Sequence, residues 1–206
     1  MAVQVKICGV RDAGCARACV DAGIDLVGFN FVPTSKRHVS PDNAAAWVAL
    51  VGSQRAVGVF RNQPVQEMQQ VARRAGVQWI QLHGDEPALT CAMFRENGFR
   101  VIKALAVTEA LTREVIAGYH GAVDLLLFDA ARPGSGALFE HDRLLALAPP
   151  RPFWLAGGLA PDNVAAAVRR VRPDGVDTAS GVEQSGRMSN AKIVAFYEQA
   201  RGTRPA

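Results

Sequence analysis

Two side chains of different chemistry, a thiol and a carboxyl, end apolar segments of the sequence and could together move a proton. Cys8 ends the segment Val5-Lys6-Ile7-Cys8, and Asp129 follows the apolar run Leu125-Leu126-Leu127-Phe128. A thiolate can take a proton from carbon when its pKa lies near neutrality, and a carboxylic acid against an apolar wall can hold a proton for donation. Cys8 is therefore a candidate general base and Asp129 a candidate general acid.

Both residues also have simpler interpretations. A strand cysteine is often a small buried core residue, and an aspartate after a strand often caps a helix or forms a salt bridge. Side chains alternate along a strand, so a Cys8 that faces a shared interior places Lys6 one layer below it. A buried ammonium needs a carboxylate partner, for which Asp177 is the candidate, and the charge of Lys6 could lower the pKa of Cys8.

Two glycine-containing segments late in the chain are candidates for binding phosphate. Gly157-Gly158 follows the predicted strand at residues 152–156, and Ser180-Gly181 lies at the end of the predicted strand at residues 175–180. Glycine lets the backbone approach phosphate oxygens closely, and backbone N–H groups at the start of a helix bind such anions. Each segment alone could be only a tight turn, but the occurrence of two favours a phosphate site.

Three more residues are candidates for contacting a substrate. Arg37 could hold a carboxylate through two parallel hydrogen bonds, although a basic loop exposed to solvent is the simpler interpretation. His83 could line the pocket or serve only as a hydrogen-bonding neighbour of it. Asp177, the candidate partner of Lys6, is the third candidate for contacting the substrate.

The elements that must position these residues alternate along the chain between short β-rich runs and amphipathic helical stretches. Strands are predicted at residues 3–8, 25–31, 55–60, 78–83, 99–106, 123–129, 152–156 and 175–180. Helices are predicted at residues 12–22, 42–51, 65–75, 87–97, 109–118, 140–147, 161–171 and 190–201. Thr108 and Ser189 are interpreted as helix caps, and so is the pair Asp85-Glu86 before the fourth helix.

Eight βα units in 206 residues predict a single-domain (β/α)8 TIM barrel over residues 1–206. An open doubly wound sheet is the alternative, but the even spacing favours closure, and no GxGxxG segment follows Cys8. In such a barrel the catalytic residues lie at the carboxyl ends of the strands. Cys8, His83, Asp129 and the glycine segments all fall at predicted strand ends.

The amino-acid composition limits the classes of protein to which this sequence can belong. Apolar residues make up 49% of the chain and charged residues 20%, which is typical of a globular protein with a full core. The net charge of +4 fits an anionic substrate and equally a solvated basic surface. The sequence shows no basic arm for nucleic acid, no signal peptide and no membrane-spanning run, so we expect a cytoplasmic protein with reduced cysteines.

The remaining cysteines and histidines indicate no metal site. Cys15, Cys19 and Cys91 are expected in the core, because no second pair of ligands stands at a suitable spacing. His38, His120 and His141 likewise lack the spacing of metal ligands.

Taken together, the segments resemble the phosphoribosylanthranilate isomerase family of tryptophan biosynthesis over nearly the whole chain. The segments that carry the resemblance are Val5-Lys6-Ile7-Cys8-Gly9, Gly28-Phe29-Asn30-Phe31, Ser35-Lys36-Arg37, Val57-Gly58-Val59-Phe60, Ile80-Gln81-Leu82-His83-Gly84, Leu127-Phe128-Asp129, Leu155-Ala156-Gly157-Gly158-Leu159 and Gly175-Val176-Asp177-Thr178-Ala179-Ser180-Gly181-Val182-Glu183. Each segment is weak alone, whereas their order and spacing are specific. One departure from the family's pattern is the loop at residues 131–136, after Asp129.

The resemblance implies an Amadori rearrangement of a phosphoribosyl anthranilate. Asp129 would protonate the ribose ring oxygen, and Cys8 would remove the proton from C2 of the opened imine. Arg37 would hold the anthranilate carboxylate, and the loops containing Gly157, Gly158, Ser180 and Gly181 would hold the phosphate. No metal or organic cofactor is implied, and no nucleic-acid or membrane partner; the chain would act as a monomer or a homodimer.

Two rival functions remain open at this point. One is the Amadori isomerase of histidine biosynthesis, which uses two aspartates; Cys8 at the first catalytic position argues against it. The other is a phosphate-binding barrel without catalysis, which the presence of both Cys8 and Asp129 argues against.

Overall fold

A computed structural model describes residues 2–130 and 138–202 of the chain. Its eight parallel strands are β1 (Gln4–Cys8), β2 (Leu26–Asn30), β3 (Ala56–Phe60), β4 (Trp79–Leu82), β5 (Arg100–Val107), β6 (Leu125–Ala130), β7 (Phe153–Ala156) and β8 (Gly175–Thr178). They pair in chain order, and β1 also pairs with β8, which closes the sheet. The predicted barrel is therefore confirmed.

Helices follow the strands and surround the barrel. They are α1 (Ala13–Asp21), α2 (Pro41–Val51), α3 (Val65–Ala75), α4 (Ala88–Glu96), α5 (Arg113–Ala117), α6 (Leu138–Leu147), α7 (Val164–Val171) and α8 (Asn190–Arg201). After β8 come a 3-10 turn (Ser180–Val182) and a small hairpin of β9 (Glu183–Gln184) and β10 (Arg187–Met188). None of the helices in the described ranges is long and apolar enough to cross a bilayer.

Two predicted caps were wrong, and a third was confirmed. Thr112, rather than Thr108, caps α5 by accepting a hydrogen bond from the amide of Val115. Pro87 occupies the cap position of α4, so neither Asp85 nor Glu86 caps it. Ser189 caps α8 as predicted, through a hydrogen bond from the amide of Lys192.

The apolar core has two layers because successive strand residues point to opposite faces of the sheet. One layer fills the barrel interior, where Trp79, Leu127 and Trp154 are among the buried residues. The larger layer lies between the sheet and the helices, and it includes Cys19 and Cys91, each fully buried. Cys15 is also buried, so the core placement predicted for these three cysteines is confirmed. The filled interior leaves the strand ends as the place where polar groups can meet a ligand.

The loop at residues 131–136, which departs from the family's pattern, lies outside the described residues.

Candidate active site

Asp129 and His83 meet at the carboxyl ends of β6 and β4. Asp129 lies near the end of β6, and His83 follows β4 directly. Nε2 of His83 lies 3.1 Å from Oδ2 of Asp129, and the two side chains are 37% and 29% exposed. Both groups are therefore hydrogen bonded to each other and still open to solvent at the barrel mouth.

Cys8 ends β1 above a buried ion pair. Nζ of Lys6 donates to both carboxylate oxygens of Asp177, each at 3.0 Å, across the β1–β8 pairing. The ammonium is fully buried and the carboxylate is 7% exposed. Asp177 is thus the partner that the alternation of β1 predicted for Lys6, and it lies one layer below the mouth.

The protonation of Cys8 differs from the sequence-based expectation. Burial raises the pKa of the Cys8 thiol, and the negative charge of Asp177 raises it further. The positive charge of Lys6 lowers this pKa, as predicted, but does not outweigh burial. Cys8 therefore holds its proton at neutral pH, and its reactive thiolate becomes more populated as the pH rises.

Arg37 is held by a residue that the sequence interpretation missed. Its Nε and Nη2 donate to the two carboxylate oxygens of Glu183, at 2.7 and 3.1 Å. The hydrogen bond from Arg37 lowers the pKa of Glu183, so this carboxylate stays charged. Nη1 of Arg37 donates to no group in the described part of the chain, and it remains available to an incoming carboxylate.

A glycine makes room for this arginine beside Cys8. Gly9 has a φ of +85°, and a Cβ built there would lie 2.4 Å from Cδ of Arg37. A side chain at this position would therefore displace the guanidinium, besides straining the backbone.

The loops after β7 and β8 form a second polar region. Gly157 and Gly158 have φ angles of +94° and +65°, and Asn163 holds the carbonyl of Gly158 at 3.0 Å. A Cβ at Gly181 would lie only 1.9 Å from the carbonyl oxygen of Leu159, so the two loops pack backbone against backbone.

The amides of these loops are available to an anion. Within residues 2–130 and 138–202, the backbone N–H groups of Gly157, Gly158, Ser180 and Gly181 donate no hydrogen bond. Gly181 lies in a 3-10 turn directly after β8, whereas α7 begins only at Val164, six residues after Gly158. Unpaired backbone amides of this kind are suited to phosphate oxygens.

A cavity of about 600 Å³ opens beside His83 and Asp129. It extends over β5 toward α5, where Leu111 and Tyr119 line it. Its volume falls within the range of about 300–1,000 Å³ that is usual for small-molecule pockets.

Further polar residues around His83 were not predicted. Gln81 lies two positions before His83 on the same face of β4, and its Nε2 is 2.9 Å from Nδ1 of the ring. Lys103 is buried, and its Nζ lies 3.0 Å from Oε2 of Glu86. The same ammonium donates to the carbonyl oxygens of Leu82 and Gly84. The period of two along β4 could have indicated Gln81, whereas the contact of Lys103 depends on the fold.

Comparison with known proteins gives consistent results. Residues 5–199 match the family model described as N-(5'phosphoribosyl)anthranilate (PRA) isomerase. A curated relative from Roseiflexus sp. (strain RS-1), named N-(5'-phosphoribosyl)anthranilate isomerase, is 41% identical and covers 97% of this chain and 98% of its own.

Solved structures are similar over the same length. TrpF from Jonesia denitrificans superposes with a TM-score of 0.87 at 35% identity, covering 98% of each chain. A phosphoribosyl anthranilate isomerase in complex with reduced 1-(o-carboxyphenylamino)-1-deoxyribulose 5-phosphate superposes with a TM-score of 0.80 at 34% identity, covering 97% of this chain and 99% of that one.

Proposed function

The chain belongs to the N-(5'-phosphoribosyl)anthranilate isomerase family, and from this we propose how its barrel mouth carries out the family's reaction. The reaction is the Amadori rearrangement of N-(5-phospho-β-D-ribosyl)anthranilate to 1-(2-carboxyphenylamino)-1-deoxyribulose 5-phosphate in L-tryptophan biosynthesis. It is an aldose–ketose isomerisation, which makes the protein an intramolecular oxidoreductase.

One observation carries the assignment of roles: a thiol and a carboxyl end two strands of the same closed barrel, at its carboxyl face. Cys8 ends β1 and Asp129 lies near the end of β6. Strands 1 and 6 stand apart around the barrel, so the two groups can address a small substrate from different sides.

Asp129 performs the first step as general acid. It donates a proton to the furanose ring oxygen while the bond between that oxygen and C1 breaks. The lone pair of the anthranilate nitrogen forms the C1=N bond, which leaves an open-chain iminium. The exposure of the Asp129 side chain at the mouth gives its carboxyl access to the ring oxygen.

Cys8 performs the second step as general base. Its thiolate takes the proton from C2, and the electrons of that C–H bond form the C1=C2 bond. The π electrons of the C1=N bond move to the nitrogen, where they become its lone pair. The resulting enolamine becomes the ketone when C1 gains a proton and the C2 hydroxyl loses one. The substrate's own nitrogen thus accepts the electrons, so the steps require no metal or organic cofactor.

The two ends of the substrate would be held by separate groups. Arg37, fixed by Glu183, offers Nη1 to the anthranilate carboxylate. The amides of the loops at Gly157-Gly158 and Ser180-Gly181 would bind the phosphate. His83 would face the substrate beside Asp129, and Asp177 would form the floor below Cys8.

The single-domain organisation of residues 1–206 remains a prediction. It is supported by the pairing of β1 with β8, which joins the first and last strands of the described barrel.

Turnover tests the proposal directly. Purified protein is mixed with freshly prepared phosphoribosylanthranilate, the loss of its fluorescence is followed, and the product is identified by mass and chromatography. We expect loss of fluorescence with formation of the deoxyribulose phosphate. Binding without turnover would indicate a non-catalytic barrel, and turnover of the histidine-pathway aminoaldose alone would indicate the rival isomerase.

A further inference from the structure

Three side chains form a hydrogen-bonded row that leads from the barrel interior to its mouth. Gln81 Nε2 lies 2.9 Å from His83 Nδ1, and His83 Nε2 lies 3.1 Å from Asp129 Oδ2. Gln81 is fully buried, whereas the other two side chains reach solvent. The row therefore connects a fixed interior amide to a carboxyl that faces the substrate.

The chemistry of these atoms determines where the protons lie. Nε2 of Gln81 faces the ring, and Oε1 of Gln81 is buried without a hydrogen-bond partner among the described residues. An amide nitrogen only donates, so in this orientation Nδ1 of His83 accepts and carries no proton. In a neutral imidazole the proton then lies on Nε2, which donates to Oδ2 of Asp129. The hydrogen bond from Gln81 thus selects one of the two tautomers of His83.

This tautomer has a consequence for Asp129. Because Oδ2 accepts from His83, a proton on the carboxyl of Asp129 lies on Oδ1, the oxygen that does not face the imidazole. The imidazole cannot take this proton, since Nε2 is already protonated and Nδ1 faces a donor. If His83 instead became an imidazolium, it would stabilise Asp129 as a carboxylate and remove the acid.

The surroundings hold His83 in this position. Lys103 donates to the carbonyl oxygens of Leu82 and Gly84, the residues on either side of His83. The carboxylate of Glu86 accepts from Lys103 and from the amide of Gly84 at 2.9 Å. The turn that carries the imidazole is thus held on both sides of His83 by buried and partly buried hydrogen bonds.

Other charged groups lie near this row. Those on the elements packed around it are Arg61 after β3, Asp85 and Glu86 after β4, Lys103 on β5, Asp177 on β8 and Lys6 on β1. The charge of Asp177 interacts with both Asp129 and His83.

We propose that Gln81 is a positioning residue for the acid step: it fixes His83 as the Nε2–H tautomer and so keeps the proton of Asp129 directed at the substrate. The proposal rests on the function proposed above, in which Asp129 is the general acid. Gln81 itself touches neither substrate nor reacting atoms.

The tautomer can be measured without any turnover. Protein labelled with 15N-histidine gives ring spectra for only four histidines, and the His83→Asn variant identifies the signals of His83. We expect Nδ1 of His83 without a proton and Nε2 with one. A proton on Nδ1 in the wild-type protein, as the other tautomer or as an imidazolium, would overturn the inference even if the enzyme turns over normally.

The second test of this proposal measures the activity of Gln81 variants. Gln81→Met removes the donor at similar length, and Gln81→Glu replaces it with a carboxylate that favours a proton on Nδ1. We expect kcat to fall about tenfold in Gln81→Met, as for the loss of one hydrogen bond, with a smaller change in KM. Gln81→Glu should lose more and should move the alkaline fall of kcat to lower pH.

Gln78→Glu is the matched control, because it makes the same exchange just before the start of β4, at the opposite end of the barrel. It should retain wild-type kcat and the wild-type tautomer of His83. Equal loss of kcat in Gln78→Glu and Gln81→Glu, or an unchanged pH profile in Gln81→Glu with a folded protein, would contradict a positioning role. Absence of turnover in the wild-type protein would instead refute the proposed function and leave the tautomer measurement valid.

Discussion

The position of the Cys8 sulfur can be perturbed from a neighbouring strand without altering Cys8 itself. Gly28 on β2 pairs with Cys8 on β1. A Cβ built on Gly28 would lie 2.9 Å from Sγ of Cys8, 3.2 Å from its Cα and 3.3 Å from Cε of Lys6. Gly28→Ala therefore places one methyl group directly against the proposed base.

The expected size of the effect follows from these distances. Non-bonded heavy atoms prefer a separation of about 3.5–4.0 Å, so Sγ must move by about 0.6–1 Å. A displacement of about 1 Å in a reacting group can cost about 100-fold in rate. We expect kcat of Gly28→Ala to fall by about that factor, with little change in KM, because Arg37 and the glycine loops are untouched.

Steady-state kinetics by fluorescence loss and chemical denaturation together test this prediction. The added methyl group should lower the free energy of unfolding by about 1–3 kcal/mol, as other overpacked cores do. Gly118→Ala is the control, since Gly118 ends α5 in a right-handed conformation and its nearest contact would be an ordinary 3.4 Å. A folded Gly28→Ala protein with wild-type kcat would refute the assignment of Cys8 as base.

Three further outcomes follow from the site. Asp177→Asn should move the rising limb of kcat against pH to lower pH, because it removes a negative charge that raises the pKa of Cys8; Lys6→Met should move it to higher pH, and a pH–rate profile checks both. Gly158→Val should raise KM by about 10–100-fold through lost phosphate contacts, with a smaller change in kcat, as measured by steady-state kinetics and phosphate inhibition. In the native protein iodoacetamide should label Cys8 alone, faster as the pH rises, which peptide mass spectrometry detects. The other thiols are buried, with pKa values raised to about 11, 12 and 11 for Cys15, Cys19 and Cys91.

Features with a local signal were predictable from the sequence. The alternation of apolar runs located all eight strands to within a few residues, because each buried parallel strand is short and apolar on both faces. The pairing of Lys6 with Asp177 was predictable too, since period-two alternation buries the ammonium and a buried charge needs a partner.

Contacts between distant parts of the chain were not predictable. Glu183 holds Arg37 across 146 positions, through a hairpin after β8 that has no signature in the sequence. Thr112 caps α5 instead of Thr108 because β5 continues to Val107, which places Thr108 at the strand end. The net pKa of Cys8 depends on the depth of its burial, which the sequence does not reveal.

The central claim is that Cys8 removes the substrate proton, and kcat of Cys8→Ala tests it most directly. Cys91→Ala is the matched control, because it removes a thiol that is fully buried on α4, away from the barrel mouth. General bases contribute about 10²–10⁴-fold, so kcat of Cys8→Ala should fall by at least 100-fold with KM little changed, while Cys91→Ala keeps wild-type kcat. A Cys8→Ala protein with near wild-type kcat would contradict the account, and the base would then be sought among Asp177, His83 and Lys6.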